Sequence, residues 1–203
     1  MTEPHNRPVR EASAHRETAE TQIAVRLVVD GEGRFSGSVG IPFFEHMLNL
    51  LARHAMMDIE INGKGDTDVD AHHTVEDVGI VMGRALKTAL ETRQGIERYG
   101  EAYVPMEETL ARCVIDICNR PFLKFDAQIP KTKIGDFDAE LAEDFMRAFA
   151  FNACLTMHIT VIYGGNMHHV VEAVFKSVGR ALAKASSRNP RIIGAHSTKG
   201  SLE

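Results

Sequence analysis

The chain has 203 residues, 44% of them hydrophobic, enough to bury one large core or two small packed halves. Its formal net charge of -5 excludes a non-specific nucleic-acid binder, which needs a basic face against phosphate, but leaves room for a small anionic substrate held by a local group of Arg and Lys. No apolar run approaches the roughly 18 residues of a membrane span and no signal-like apolar stretch opens the chain, so a cytoplasmic protein with no membrane partner is expected.

Residues 1–14 are polar, carry Pro4 and Pro8 and lack periodicity, and are expected to form a flexible tail. The alternating run TQIAVRLVV (residues 21–29) reads as a strand, and Glu45-His46-Met47-Leu48 opens an amphipathic helix. A strand-like stretch at 57–61 follows, ended by Gly63-Lys64-Gly65. From His72 the string HHTVEDVGIVMGRALKTA sets Val75, Val78, Met82 and Leu86 at helical spacing, with His-His-x-x-Glu at the helix start. A seam is expected near residues 99–105, after which the pattern restarts.

The run TLARCVIDI (109–117) follows Glu108-Thr109 as the first strand follows Glu20-Thr21. Glu143-Asp144-Phe145-Met146 opens a helix, residues 155–162 form a strand ended by Gly164-Gly165, and HHVVEAVFKSVGRALAKA begins at His168. Here Val171, Val174, Val178 and Leu182 take the helical period. The two His-His segments are identical at ten of eighteen aligned positions, which marks an internal duplication. Cys113, Cys118 and Cys154 lie in or beside apolar runs without zinc-knuckle spacing and read as reduced core residues.

The expected fold class is therefore α+β, built from internally duplicated half-domains, each a β-sheet with two helices on one face, packed helix to helix. Neither half covers its apolar helix face alone, and packing across a pseudo-twofold buries both. The boundaries read as a tail at 1–14, a first half-repeat at 15–100, a second at 101–190 and a C-terminal tail at 191–203.

Residues four apart share a helix face, so His72 with Glu76, and His168 with Glu172, can each chelate one cation. His73 and His169 point about 100° away and suit a different site. The duplication suggests that His72 and Glu76 join His169 or its equivalent from another copy, that His168 and Glu172 join His73, and that His46 and Asp144 complete the shells. Imidazole and carboxylate donors without thiolate favour Mn²⁺, Fe²⁺ or Zn²⁺, and octahedral room for a substrate favours manganese. A lone His at a helix end is commonly a cap or a surface residue; two matched copies argue for metal. His54 and His158, in apolar surroundings, read as structural, and His5, His15 and His196 receive no metal role.

The strings RETAETQI (16–23), FFEHML (43–48), DVDAHHTVEDVGI (68–80), NRP (119–121), MHHVVEAVFKSVGRAL (167–182) and STKG (197–200) resemble the imidazoleglycerol-phosphate dehydratase family in order and spacing, over about residues 16–203. The resemblance implies a ribosomal protein S5 domain 2-like architecture and a lyase of histidine biosynthesis. Its reaction converts D-erythro-imidazole glycerol phosphate to imidazole acetol phosphate and water, through a metal-stabilised imidazolate or diazafulvene-like intermediate. It further implies two Mn²⁺ ions per active site held between subunits, a homo-oligomer of 24 subunits, and His46, His72, His73, Glu76, Asp144, His168, His169 and Glu172 as ligands. Many relatives carry His where this chain has Asp144. Glu20 is implied as general acid/base, with Glu76 and Glu172 as alternative bases, and His46, His72 and His168 facing the substrate. Arg98, Arg120, Lys176, Ser197, Thr198 and Lys199 are implied around its phosphate. Two other classes fit a doubled His/Glu helix motif: a metal-storage bundle, disfavoured by the strand signals, and a binuclear phosphate-ester hydrolase.

Overall fold

Alternation of apolar and polar residues builds the first sheet. The computed structural model describes residues 8–202. The first half runs β1 (Glu11–Glu17), β2 (Thr21–Val28), β3 (Phe35–Ser38), α1 (Pro42–Ala55), β4 (Asp58–Gly65) and α2 (His72–Leu90). Thr21, Ile23, Val25 and Leu27 of β2 all point inward, and the residues between them face out. The strand order is β1-β2-β4-β3, with β3 joining β4 in parallel and the other pairs antiparallel.

The second half repeats this plan with β5 (Tyr99–Met106), β6 (Thr109–Asp116), β7 (Phe122–Asp126), α3 (Leu141–Ala153), β10 (Thr156–Tyr163) and α4 (Met167–Ser186). Its sheet order, β5-β6-β10-β7, is the topological copy of the first. A small hairpin, β8 (Lys133–Ile134) with β9 (Phe137–Asp138), is inserted between β7 and α3, and the first half has no equivalent.

Each helix takes its helical partner from the other half: α1 packs on α4, and α2 on α3. Glycine sets the closeness of both contacts. A Cβ on Gly83 would stand 2.7 Å from the Phe149 carbonyl oxygen, and one on Gly179 would stand 2.9 Å from that of Leu51. These are equivalent positions of the duplicated segment, so the same close approach occurs twice. Both pairs run in the same direction, because residues near the helix starts meet (His72 with Asp144, His46 with Glu172) while the glycines meet the later turns of their partners. Four helix N-termini carrying the His and acid residues are thereby gathered in two pairs.

Between the helices lies an aromatic centre. The Phe145 ring is 5.3 Å from Phe44, 5.9 Å from Phe149 and 5.4 Å from Phe175 by ring centroids. All four are essentially without solvent exposure, and each such burial contributes roughly 1.5–3 kcal/mol.

The structure differs from the sequence reading in three places. Residues 11–14 belong to β1 and not to a tail: Glu11 through Glu17 pair in register with β2, and Ala12 and Ala14 pack against the core. Small residues on an edge strand give a weak alternation signal, which the nearby prolines masked. Residues 1–7 of the expected tail, including His5, lie outside the described residues, as does Glu203, while residues 8–10 lead into β1, with Arg10 paired to Asp30 and donating to the Ser186 carbonyl. The seam falls earlier than 99–105, since Tyr99 already begins β5 and the connection between halves lies at 91–98. Finally, the glycine run is part of β4, which continues through Gly63 and ends at Gly65; a Cβ on Gly65 would meet the Thr74 side chain at 2.0 Å, so the glycine permits β4 to pass close beside α2.

Candidate functional site

Loop chemistry fixes where each helix begins. The Glu45 carboxylate accepts from the Ser38 hydroxyl at 2.6 Å and from the Val39 and Gly40 amides at 2.8 and 2.9 Å, locking the turn that delivers His46. Asp70 accepts from the His72 amide at 2.8 Å, and the Asn166 side chain accepts from the His168 amide at 3.0 Å. Asn166 caps α4, which starts at Met167, and the Asp70 bond holds the turn from which α2 starts at His72.

The α1–α4 contact brings together His46, His168 and Glu172. Glu172 Oε2 lies 3.2 Å from His168 Nε2 and 3.9 Å from His46 Nε2, and Lys176, one turn along α4, forms an ion pair with its other oxygen. Burial alone would raise the Glu172 carboxyl; the Lys176 and His168 contacts outweigh it and hold the group below the ordinary carboxylate range. The Phe43 ring meets His168 edge-on with centroids 5.3 Å apart, which restricts the imidazole's rotation.

The α2–α3 contact makes the counterpart: His72 Nδ1 lies 3.7 Å from Asp144 Oδ2, and Glu76 is exposed on the next turn of α2. The second histidine of each pair turns elsewhere. His73 Nδ1 is 3.0 Å from Asp66 Oδ2 and 3.7 Å from Glu20 Oε2. His169 Nδ1 is 2.8 Å from Glu108 Oε2. Hydrogen bonding to Asp66 raises the His73 pKa, and hydrogen bonding to Glu108 raises that of His169. Among the described residues three groups could hold a metal ion, each with ligand atoms within 4.8 Å: His46, His168 and Glu172; Glu20, Asp66 and His73; and Glu107, Glu108 and His169.

Glu20 sits at the tip of the β1–β2 hairpin, and the residues around it hold that tip. Asp77 on α2, only 6% exposed, accepts from Arg16 Nε at 2.7 Å and from the Thr21 hydroxyl, while the Thr18 hydroxyl accepts the Glu20 and Thr21 amides at 3.1 and 3.0 Å. The string RETAET is thus a clamp that docks a hairpin onto the metal-motif helix.

A separate cavity of about 720 Å³ gathers cationic and hydroxyl groups: Arg98, Arg120, Arg191, Ser197, Thr198 and Lys199 line it, together with Tyr99 and His196. Arg98 forks onto Asp116 at 2.7 and 3.0 Å, lies over the Tyr99 ring, and donates to the His196 carbonyl at 2.8 Å, which ties the C-terminal segment to β6. None of the paired histidines lines this cavity.

The imidazoleglycerol-phosphate dehydratase family model matches residues 39–182. The chain belongs to that family. It is 51% identical over 193 residues to the imidazoleglycerol-phosphate dehydratase of Pelobacter propionicus, covering 95% of this chain and 99% of the relative, and 51% identical over 191 residues to that of Clostridium botulinum strain Okra, covering 94% and 97%. The crystal structure of the dehydratase from Staphylococcus aureus superposes with a TM-score of 0.79 at 40% identity, covering 88% of this chain and all of that one. That from Pyrococcus furiosus, in complex with (S)-C348, superposes with a TM-score of 0.79 at 32% identity, covering 92% and 99%. The chain is accordingly a lyase of histidine biosynthesis.

Within the chain the residues named from sequence fall into separate places. His46, His168 and Glu172 converge, and His72 faces Asp144. His73 meets Glu20 and Asp66, and His169 meets Glu108; within the chain His73 does not reach the His168–Glu172 pair, nor His169 the His72–Glu76 pair, that the sequence set it beside, a pairing that the sequence left open to another copy. The 100° rotation between adjacent helical residues accounts for this: one histidine faces the partner helix across the halves, the other faces its own β-loop. Lys176 stands apart from the cationic cavity and is engaged with Glu172. Asp66, Asp77, Glu108 and Arg191 were not singled out; only the repeated Glu-Thr step at Glu20 and Glu108 could have pointed to one of them. Among the described residues no helix is long and apolar enough to cross a membrane.

Proposed function

We propose that the chain dehydrates D-erythro-imidazole glycerol phosphate to imidazole acetol phosphate and water in the cytoplasm, with two Mn²⁺ ions per active site and as a 24-subunit shell. The observation that carries this reading is the division of the site within one subunit. Two His/carboxylate clusters lie at the helix starts, two further histidines lie against acidic residues of the neighbouring loops, and the cationic cavity contains none of them. Such halves make a working site where copies meet, and the sequence resemblance supports the shell.

The donor set fits a divalent metal: imidazole nitrogens and carboxylate oxygens converge at ligand-like spacing, and no cysteine is among them. His46, His168 and Glu172 would hold one ion, His72, Asp144 and Glu76 the other, with His73 and His169 supplied from neighbouring subunits. When bound, divalent cations would supply Lewis acidity to the substrate's azole, which would help the ring expel the hydroxyl from the carbon attached to it.

The rest belongs to the chain's own groups. Glu20, exposed at the hairpin tip, takes the proton from the next carbon along and protonates the departing hydroxyl, which leaves as water, and the resulting enol becomes the ketone. The Arg16–Asp77–Thr21 clamp holds the tip in place. Arg120, Ser197, Thr198 and Lys199 bind the phosphate, and Arg98 fixes the segment carrying the last three.

Glu20→Gln should lower turnover by at least about two orders of magnitude while Mn²⁺ content is unchanged; wild-type turnover would remove Glu20 from the mechanism. The same assay decides the activity: ketone product supports dehydration, while release of free phosphate would mean an ester hydrolase.

A further inference from the structure

The duplication is imperfect at one point, and the imperfection separates two roles for a glutamate. Glu20 and Glu108 occupy equivalent positions, each directly before the buried threonine that opens β2 or β6. Gly65 and Gly164 are equivalent too, since a Cβ on either would meet that threonine, Thr21 or Thr109. From Gly65 the chain takes Asp66 through Ala71 to reach His72, but from Gly164 it takes only Gly165, Asn166 and Met167 to reach His168. A register irregularity in β10 between Val161 and Tyr163 accompanies the shorter loop. The second half therefore has no counterpart of Asp66.

The hydrogen bonds follow that difference. In the first half Asp66 takes His73 Nδ1 at 3.0 Å, the Thr21 hydroxyl goes to Asp77, and Glu20 stays 3.7 Å from the imidazole. In the second half Ala173 stands where Asp77 would be, and the Thr109 hydroxyl turns to Glu108 Oε1 at 3.1 Å. The Asn166 amide donates to the same oxygen at 2.9 Å, and Glu108 Oε2 takes His169 Nδ1 at 2.8 Å. Glu108 is tied at both oxygens. Glu20 has neither oxygen so held.

We propose that Asp66 and Glu108 are the positioning carboxylates of His73 and His169, each fixing the imidazole through Nδ1 so that Nε2 is presented to a metal ion, and that Asp66 releases Glu20 for proton transfer. This rests on the metal reading above and assigns residues to it. A carboxylate behind a ligating histidine sets its tautomer and ring orientation and raises its basicity, and loss of such a partner typically weakens metal binding by about 10–100-fold.

The test is Mn²⁺ titration of the chelator-stripped full chain, wild type against Asp66→Ala, Glu108→Ala and Glu20→Gln, with turnover measured at low and saturating Mn²⁺. Asp66→Ala and Glu108→Ala should each weaken Mn²⁺ binding by about 10–100-fold and regain turnover as Mn²⁺ saturates. Asp66→Asn and Glu108→Gln, which keep an acceptor oxygen, should recover part of the affinity. Glu20→Gln should bind Mn²⁺ as the wild type does and stay inactive at saturation. Wild-type Mn²⁺ affinity in both alanine variants would overturn the positioning role. Equal weakening of Mn²⁺ binding by Glu20→Gln would overturn the division of roles. A wild-type chain that binds no Mn²⁺ would instead overturn the metal reading itself. Melting of the stripped variants at the wild-type temperature separates these effects from unfolding.

Discussion

Removing the Asp77 carboxylate should damage the site without touching a metal ligand. Asp77 is nearly buried and accepts from Arg16 and Thr21, whose hydroxyl is buried as well. In Asp77→Ala the Thr21 hydroxyl loses this acceptor and keeps only its longer 3.2 Å contact with the Thr18 hydroxyl, a cost of about 1–3 kcal/mol for a buried group deprived of its main partner. The Arg16 side chain is about a third exposed, at 34%, so water takes over part of its pairing and the loss there is discounted to about 1 kcal/mol. The total is about 2–4 kcal/mol. Urea denaturation at fixed protein and Mn²⁺ concentration reads it as a lower midpoint. Asp77→Asn, which keeps one acceptor, should lose about half as much. Because the clamp holds the hairpin carrying Glu20, turnover should fall by about tenfold in the alanine variant with Mn²⁺ content unchanged. A stability loss below about 0.5 kcal/mol would show that the clamp does not stabilise the hairpin, and full turnover in a loosened protein would show that it does not position Glu20.

Gly83→Ala should force α2 and α3 apart: overpacking costs roughly 1–3 kcal/mol, the alanine regains about 1 kcal/mol of helix propensity, and the net loss should appear as a lower melting temperature. In the metal-stripped chain, Glu108 should titrate near its depressed value of about 2, held there first by the Asn166 amide and then by His169. Its ionised form therefore stabilises the fold above pH 4.5, and that contribution is lost as pH falls from 4.5 through about 2; carbon-detected NMR reads the midpoint, and an unshifted one would contradict the geometry. Chelation should both inactivate the enzyme and dissociate the shell in size-exclusion chromatography, and an inactive but intact shell would break the proposed linkage of metal to assembly.

The duplication, the helices bearing His-His-x-x-Glu and the alternating strands β2 and β6 were legible because period and repetition are local signals. Strand β1 was not, since an edge strand of small and charged residues owes its structure to its partner β2. The hairpin β8–β9 has only two residues per strand and leaves no periodic trace. At the site, the exchange of partners between halves, which sends His46 to Glu172 and Asp144 to His72, depends on how helices pack across the pseudo-twofold; spacing along the chain is silent about it. Asp66 was invisible for a related reason. Its part depends on a loop three residues longer than its counterpart, six against three, and the spacing from His46 or Asp144 to each histidine pair hides part of that difference behind the irregularity in β10.

The most direct test of the paired-metal account is elemental analysis of the assembled protein, with dehydratase turnover assayed on the same sample. Two Mn²⁺ ions per chain, falling in step with turnover as the metal is withdrawn, is the predicted result. Full turnover in a preparation containing no transition metal would contradict it.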